Sequence, residues 1–163
     1  MNDRPQFAAD EMLGSLARWL RLMGYDTLYA KDVEDTALLE IARSEGRVLL
    51  TRDKELSERT GDGGLYVESD DLDMQLRQVS LMYCLESDPD RARCTLCNGE
   101  LRAITKEEAQ GRVPEGALEN NAIFYTCSGC GKYYWRGSHW KNITKRLEEI
   151  SEGKTVIGGS SPR

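Results

Sequence analysis

Three aspartates and four cysteines of this 163-residue chain have the types and spacing to do chemistry: Asp10, Asp35 and Asp53, and Cys94, Cys97, Cys127 and Cys130. Carboxylates gathered in one cleft repel one another unless a cation binds. Mg2+ or Mn2+, held by carboxylates and water, activates water toward phosphodiesters, and such a site needs no nucleophilic side chain. Each acid also has an ordinary structural use. Asp10 and Asp35 are good helix N-caps, and Asp53 suits the turn "KELSER" in the same way. The cysteines form two CxxC pairs, "CTLC" and "CSGC", with the 29 residues 98–126 between them. Two such pairs complete a tetrahedral four-cysteine site, and the spacing fits a zinc ribbon with an inserted loop. A closed site of four thiolates keeps no open coordination position, so the expected Zn2+ is a structural staple.

The acids can meet only if the chain delivers them to one place. "QFAAD" reads as a short strand ending on Asp10. "EMLGSLARWLRLMG" follows with Met12, Leu13, Leu16, Trp19, Leu20 and Met23 at helical spacing and Gly24 just past its end. "YDTLYA" is a second strand. "DVEDTALLEIARSEG" is a second helix with Leu38, Ile41 and Ala42 inward and Gly46 closing it. "RVLLT" is a third strand, a fourth lies around Leu65–Val67, and "DDLDMQLRQVSLMYCLE" is a long helix with Leu72, Leu76, Val79 and Tyr83 on one side. Strands alternating with helices predict an α/β fold with a parallel sheet covered on both faces. Right-handed crossovers put the carboxyl ends of all strands on one edge, where such sheets bind ligands. Asp10 and Asp53 each follow a strand, and Asp35 opens the helix that leads into the strand before Asp53.

"SDPDRAR" breaks this pattern and marks a junction. The expected organisation is an α/β domain over 1–90, a four-cysteine zinc ribbon over 91–150 and a flexible Gly/Ser-rich tail over 151–163. Charge divides at the same place: residues 1–90 hold 10 Lys/Arg against 20 Asp/Glu and residues 91–163 hold 12 against 8, so −10 and +4 compose the net −6. A cation-binding acidic half beside a nucleic-acid-holding basic half accounts for both signs. After the second CxxC, "KYYWRGSHWKNITKR" interleaves aromatic and basic groups. Arg136 suits phosphate, Trp140 suits stacking on an unpaired base, and His139, the one histidine, suits packing, phosphate contact or proton transfer. Arg18 and Arg21 stand three apart on the polar side of the first helix, as solvated arginines or as a phosphate clamp. Cys84, outside the pairs, reads as a buried apolar thiol. With 31% charged residues and no long apolar run, no membrane span is expected. "MNDRPQF" has no apolar signal core, so a cytoplasmic setting is expected.

Four stretches in order, "DEMLGSLARWLRLMGYD", "DTALLEIARSEGRVLLTRDKEL", the paired knuckles and "YYWRGSHW", resemble the Mut-seven C-terminal RNase family from about Phe7 to about Leu147. The resemblance implies a PIN-like α/β/α fold with a zinc ribbon attached and a divalent-metal ribonuclease activity on RNA. It implies that Asp10, Asp35 and Asp53 are the catalytic metal ligands, with Thr51 as hydrogen-bond support for Asp53. Arg18 and Arg21 match the basic stretch of the first helix, and His139 and Trp140 match the "GSHW" after the ribbon. PIN nucleases usually carry a further helical glutamate, which has no clean counterpart here; Glu11, Asp26 and Asp32 are the substitutes. Two other classes compete with the ribonuclease: an RNA-binding module without catalysis and a zinc-stapled protein-interaction module.

Overall fold

A computed structural model of the chain describes residues 4–151, apart from the side chains of Ser138, His139 and Ser151. The expected tail therefore lies, from residue 152 onward, outside the described residues. The first half alternates β1 (Phe7–Ala9), α1 (Gly14–Leu22), β2 (Thr27–Tyr29), α2 (Asp35–Glu45), β3 (Val48–Thr51), α3 (Lys54–Thr60), β4 (Gly64–Tyr66) and α4 (Leu72–Tyr83). The four strands form one parallel sheet in the order β2-β1-β3-β4. Of these first-half elements, α3 is the one missing from the sequence reading. "KELSERT" is polar, with only Leu56 buried, so its apolar signal is too thin to announce a helix. Geometry requires one all the same, because β3 and β4 are parallel and a parallel pair needs a crossover.

Side-chain alternation along the strands divides the core between the two faces of the sheet. Phe7, Ala9, Leu50 and Val67 face one side and pack with Leu13, Leu16, Leu20 and Met23 of the first helical segment and Leu76 and Val79 of α4. Ala8 and Leu49 face the other and pack with Leu38, Leu39 and Ala42 of α2 and Leu56 of α3. The result is the expected three-layer α/β/α sandwich. Gly24 (φ +96°) and Gly46 (φ +66°) end α1 and α2 in left-handed backbone. At Gly24 a side chain is excluded twice over, because a Cβ would stand 2.9 Å from Arg91 Cβ and 3.0 Å from the Asp88 carbonyl.

The second half forms an antiparallel sheet β5-β6-β7 from β5 (Leu101–Ile104), β6 (Phe124–Cys127) and β7 (Tyr133–Trp135). Two short helices, α5 (Lys106–Ala109) and α6 (Glu115–Asn120), fill the segment between β5 and β6 and pack Ala109, Val113 and Ala117 around Phe124. The chain then returns. Ile143, Leu147 and Ile150 of α7 (Ser138–Ser151) are buried in the core that α1 and α4 share. Arg146 on α7 pairs with Asp73 at the start of α4, and its guanidinium lies 5.5 Å over the Trp19 ring. Cys84 departs from expectation. It is exposed and caps α4 in left-handed backbone (φ 53°), and Leu85 takes the buried place. Among the described residues no helix is long and apolar enough to cross a membrane.

Candidate active site and metal centre

In the order β2-β1-β3-β4 the chain leaves β1 for β2 on one side and then returns past it to β3 on the other. The reversal falls between β1 and β3, and open α/β sheets bind ligands at the carboxyl ends of the strands at such a switch point. Asp10 and Asp53 stand there. Asp10 follows β1 and is 8% exposed. Its Oδ1 accepts from the Met12 N–H at 3.0 Å, and its Oδ2 accepts from the Thr51 hydroxyl and from the Arg52 N–H at 3.2 Å. Thr51, fully buried at the end of β3, also accepts from the Asp53 N–H at 2.9 Å. One hydroxyl thus ties the two acid-bearing strand ends together. The expected role of Thr51 is sharpened: its hydroxyl supports the Asp10 carboxylate and the Asp53 backbone, not the Asp53 carboxylate. Asp53 is exposed, and its Oδ1 caps α3 by accepting from the Leu56 N–H at 3.2 Å.

Capping and a metal role are not exclusive, because a carboxylate has about four lone-pair sites. Asp10 accepts three hydrogen bonds and Asp53 one. This leaves an anchored acid beside an open one, both offering hard oxygen atoms. Mg2+ and Mn2+ bind through one or two carboxylates and keep several waters, so the donor set fits them.

The other expected site residues divide. Asp35 is exposed as the first residue of α2; Glu34, not Asp35, holds the N-cap position, and no side chain caps that helix. The three acids are not gathered as tightly as the cysteines: among the described residues, the cysteine quartet is the group of three or more metal-ligating side chains close enough to share an ion. Arg18 is exposed on α1. Arg21 is a correction to its expected surface position. It is buried, and it donates from Nε to the Thr27 carbonyl at 2.9 Å and from Nη1 to the Thr95 carbonyl at 2.8 Å. Burial pushes its guanidinium below the ordinary value, against the nearby Cys94, Cys97 and Asp26. Helical spacing misled here because α1 covers its C-terminal turn with the ribbon. Of the substitute acids, Glu11 and Asp32 are exposed near the carboxyl ends of β1 and β2. Asp26 precedes β2, at the opposite edge of the sheet, and cannot join them.

Asp26 instead holds the ribbon to the sheet. Its Oδ1 accepts from Arg47 Nη1 at 2.8 Å and from Asn98 Nδ2 at 2.6 Å. Asn98 Oδ1 in turn accepts from the Thr27 N–H at 3.0 Å. Burial alone would raise the Asp26 pKa, but the bonds from Arg47 and Asn98 outweigh it and hold it below 3.8. A carboxylate with a depressed folded pKa contributes stability that is present above its unfolded value and lost as pH falls through the folded one. Unfolding midpoints are therefore expected to drop below about pH 4. Asp26→Asn should flatten that drop and cost about 2 kcal/mol at pH 7, as for a charged hydrogen bond; denaturant titrations at several pH values read both.

The candidate metal centre joins the start of the ribbon, Cys94 and Cys97, to the β6–β7 turn, Cys127 and Cys130. All four Sγ atoms lie within 4.8 Å of one another, with Cys94–Cys130 at 3.7 Å and Cys97–Cys127 at 3.3 Å. Tetrahedral Zn–S bonds of about 2.3 Å place sulfurs about 3.8 Å apart, so the quartet fits such an ion. Gly99 makes room for it, since a Cβ there would meet Cys127 Sγ at 2.6 Å. Burial alone would raise the Cys94 thiol. The Tyr134 hydroxyl at 2.9 Å and the backbone N–H groups of Cys97 and Leu96 draw it instead down to about 6, which favours the thiolate a metal needs.

Arg136 and Trp140 come together past β7. The Arg136 guanidinium lies 5.6 Å over Trp140 and 5.3 Å over Tyr125, and its Nη2 donates to the Pro89 carbonyl at 2.9 Å. The side chain of His139 lies outside the described residues. Sequence reasoning missed the roles of Arg52, Asn98 and Tyr134. "TRD" and the residue after "CTLC" marked the places, but backbone donation and a knuckle's docking edge leave no compositional trace. The Mut7-C RNAse domain family model matches residues 5–147. No curated protein and no solved structure matches the chain.

Proposed function

The chain belongs to the Mut7-C RNAse domain family, and on that premise we propose that it is a divalent-metal-dependent ribonuclease that hydrolyses single-stranded RNA. The observation that carries this reading is the junction of Asp10 and Asp53 through Thr51 at the switch point of the sheet. In this reading Asp10 and Asp53 hold Mg2+ or Mn2+, with Asp35 reaching in from α2. The ion supplies Lewis-acid polarisation of a phosphodiester and a lowered pKa for water. Asp10 is the fixed ligand, because three donors and burial hold its rotamer. Asp53 is the open one, free to take a second ion or to follow substrate. Arg18, exposed on α1, steadies a neighbouring phosphate. Zn2+ on Cys94, Cys97, Cys127 and Cys130 staples a ribbon that aids RNA binding, within a domain division near residue 90. Thiols kept for a metal suit a reducing, cytoplasmic setting.

Mn2+ titration followed by its paramagnetic resonance tests the site apart from catalysis. Zinc-loaded protein is expected to bind Mn2+, and Asp53→Asn to weaken that binding; equal binding by both would remove Asp53 from the site. Thr51→Val is expected to keep the fold and lower cleavage about 10–100-fold, the usual cost of losing a group that orients a metal ligand. A structural cost of about 1–3 kcal/mol accompanies it, because the Asp53 N–H loses its acceptor. One observation favours a second reading, an RNA-binding module without catalysis: Asp35 is exposed and the three acids form no tight group. That reading expects RNA binding that survives Asp10→Asn and no cleavage with any metal.

A further inference from the structure

We propose that the cleft between the ribbon and the C-terminal end of α1 is a stacking subsite for one unpaired nucleobase of an RNA strand that also reaches the acid edge. The inference rests on the ribonuclease reading for the strand's other end, and on separate residues for this one. Leu22, Arg93, Tyr125, Trp135, Arg136 and Trp140 line the cleft. The cleft holds only about 40 Å³ of water-accessible space, too small to swallow a base. A base therefore lies across the rim.

Two features make that rim a stacking platform. First, Tyr125 and Trp140 belong to neither neighbouring core. The ribbon packs on Phe124, Ala109, Val113 and Ala117, the α1–α4–α7 core takes Ile143, Leu147 and Ile150, and both aromatic rings stay half-buried. Second, the Pro89 carbonyl and Asp90 Oδ1 at 3.1 Å hold the Arg136 guanidinium 5.3 Å from the Tyr125 ring centre and 5.6 Å from that of Trp140. A fixed planar cation among aromatic faces accepts any base by its π-face, with no need to read an edge.

A stripe of exposed residues on the first helical segment runs from the cleft toward the acid edge. Leu22 lines it, and one turn back on α1 stands Arg18, exposed, followed by exposed Ser15 and then Glu11 beside Asp10. From Asp10 to Leu22 the helical rise is about 18 Å, or about five nucleotides at the stacked spacing of 3.4 Å. A strand laid along this stripe puts one base on the cleft, a phosphate on Arg18 and a phosphodiester at Asp10 and Asp53.

The test is binding of fluorescent single-stranded RNA octamers to zinc-loaded protein without added Mg2+ or Mn2+, read by anisotropy. In each octamer one nucleotide in turn is abasic. One position is expected to weaken binding about 5–100-fold, the range of base–aromatic stacking, and the others far less. Trp140→Ala should abolish that position dependence and leave the salt slope unchanged, whereas Arg18→Ala should reduce the slope by about one. A flat abasic profile, no binding at low salt, or a position dependence that survives Trp140→Ala would overturn the subsite. The abasic series on the parent protein decides the matter even if Trp140→Ala does not fold. A flat profile with normal cleavage would sink the subsite alone, and a position-dependent profile without cleavage would sink the ribonuclease reading alone.

Discussion

Asp10→Asn is expected to lower RNA cleavage by at least about 10³-fold, because removing a metal-binding charge forfeits several kcal/mol of transition-state stabilisation at 1.36 kcal/mol per tenfold. The fold should survive. If the amide oxygen keeps the bond from the Met12 N–H, the amide nitrogen faces Thr51 and the Arg52 N–H. Thr51 can turn its hydroxyl to accept, since it already accepts from the Asp53 N–H and has a second lone pair. The Arg52 N–H then meets a donor and the Thr51 hydroxyl proton loses its acceptor, at a cost of about 1–3 kcal/mol for each bond lost. Cleavage rate, thermal midpoint and zinc content together separate this from misfolding. A variant with normal zinc, a midpoint a few degrees lower and full cleavage would remove Asp10 from the chemistry.

Stripping the ribbon metal, or replacing Cys127 by Ala, is expected to destabilise the parallel sheet as well as the ribbon. Metal-free thiolates in a small sheet lose the main force that orders it; structural zinc contributes about 10–16 kcal/mol in peptides of this kind. The Cys94–Cys97 knuckle is bound into the sheet's amino edge. Thr95 takes the bond from buried Arg21, and Asn98 receives the Thr27 N–H and donates to Asp26. Losing about three such bonds leaves Arg21 and Thr27 short of partners, costs about 3–5 kcal/mol and lowers the midpoint of the α/β layers by about 10 °C. Tyr25 and Trp19 report on that core, so near-ultraviolet circular dichroism of chelated protein reads it. A core signal that melts unchanged after complete zinc removal would show that ribbon and sheet fold independently.

The sheet was legible in the sequence because its strands are short apolar runs closed by Asp10 and Asp53, and its helices carry strong stripes and end on Gly24 and Gly46. The cysteine quartet was legible from spacing alone. What escaped lies in tertiary contacts. Arg21 sits at a polar helical position, yet the ribbon covers it. Asp26 looked like a spare acid, yet strand direction puts it at the far edge, where Arg47 and Asn98 hold it. α7 followed the ribbon in sequence but packs on α4, because Ile143, Leu147 and Ile150 complete a core begun about 130 residues earlier. Thr51 was read as support for Asp53, and only the register of β1 against β3 showed that its hydroxyl reaches Asp10.

The central claim is that Asp10 and Asp53, at the carboxyl ends of β1 and β3, would hold a divalent ion for the cleavage of RNA. End-labelled single-stranded RNA incubated with zinc-loaded protein and Mn2+ or Mg2+, against no added ion and against Asp53→Asn, tests it most directly. Cleavage by the parent with the ion, with none in its absence and a deep loss in Asp53→Asn, is the expected result. Intact RNA under every metal, or a variant that cuts as fast as the parent, would contradict it.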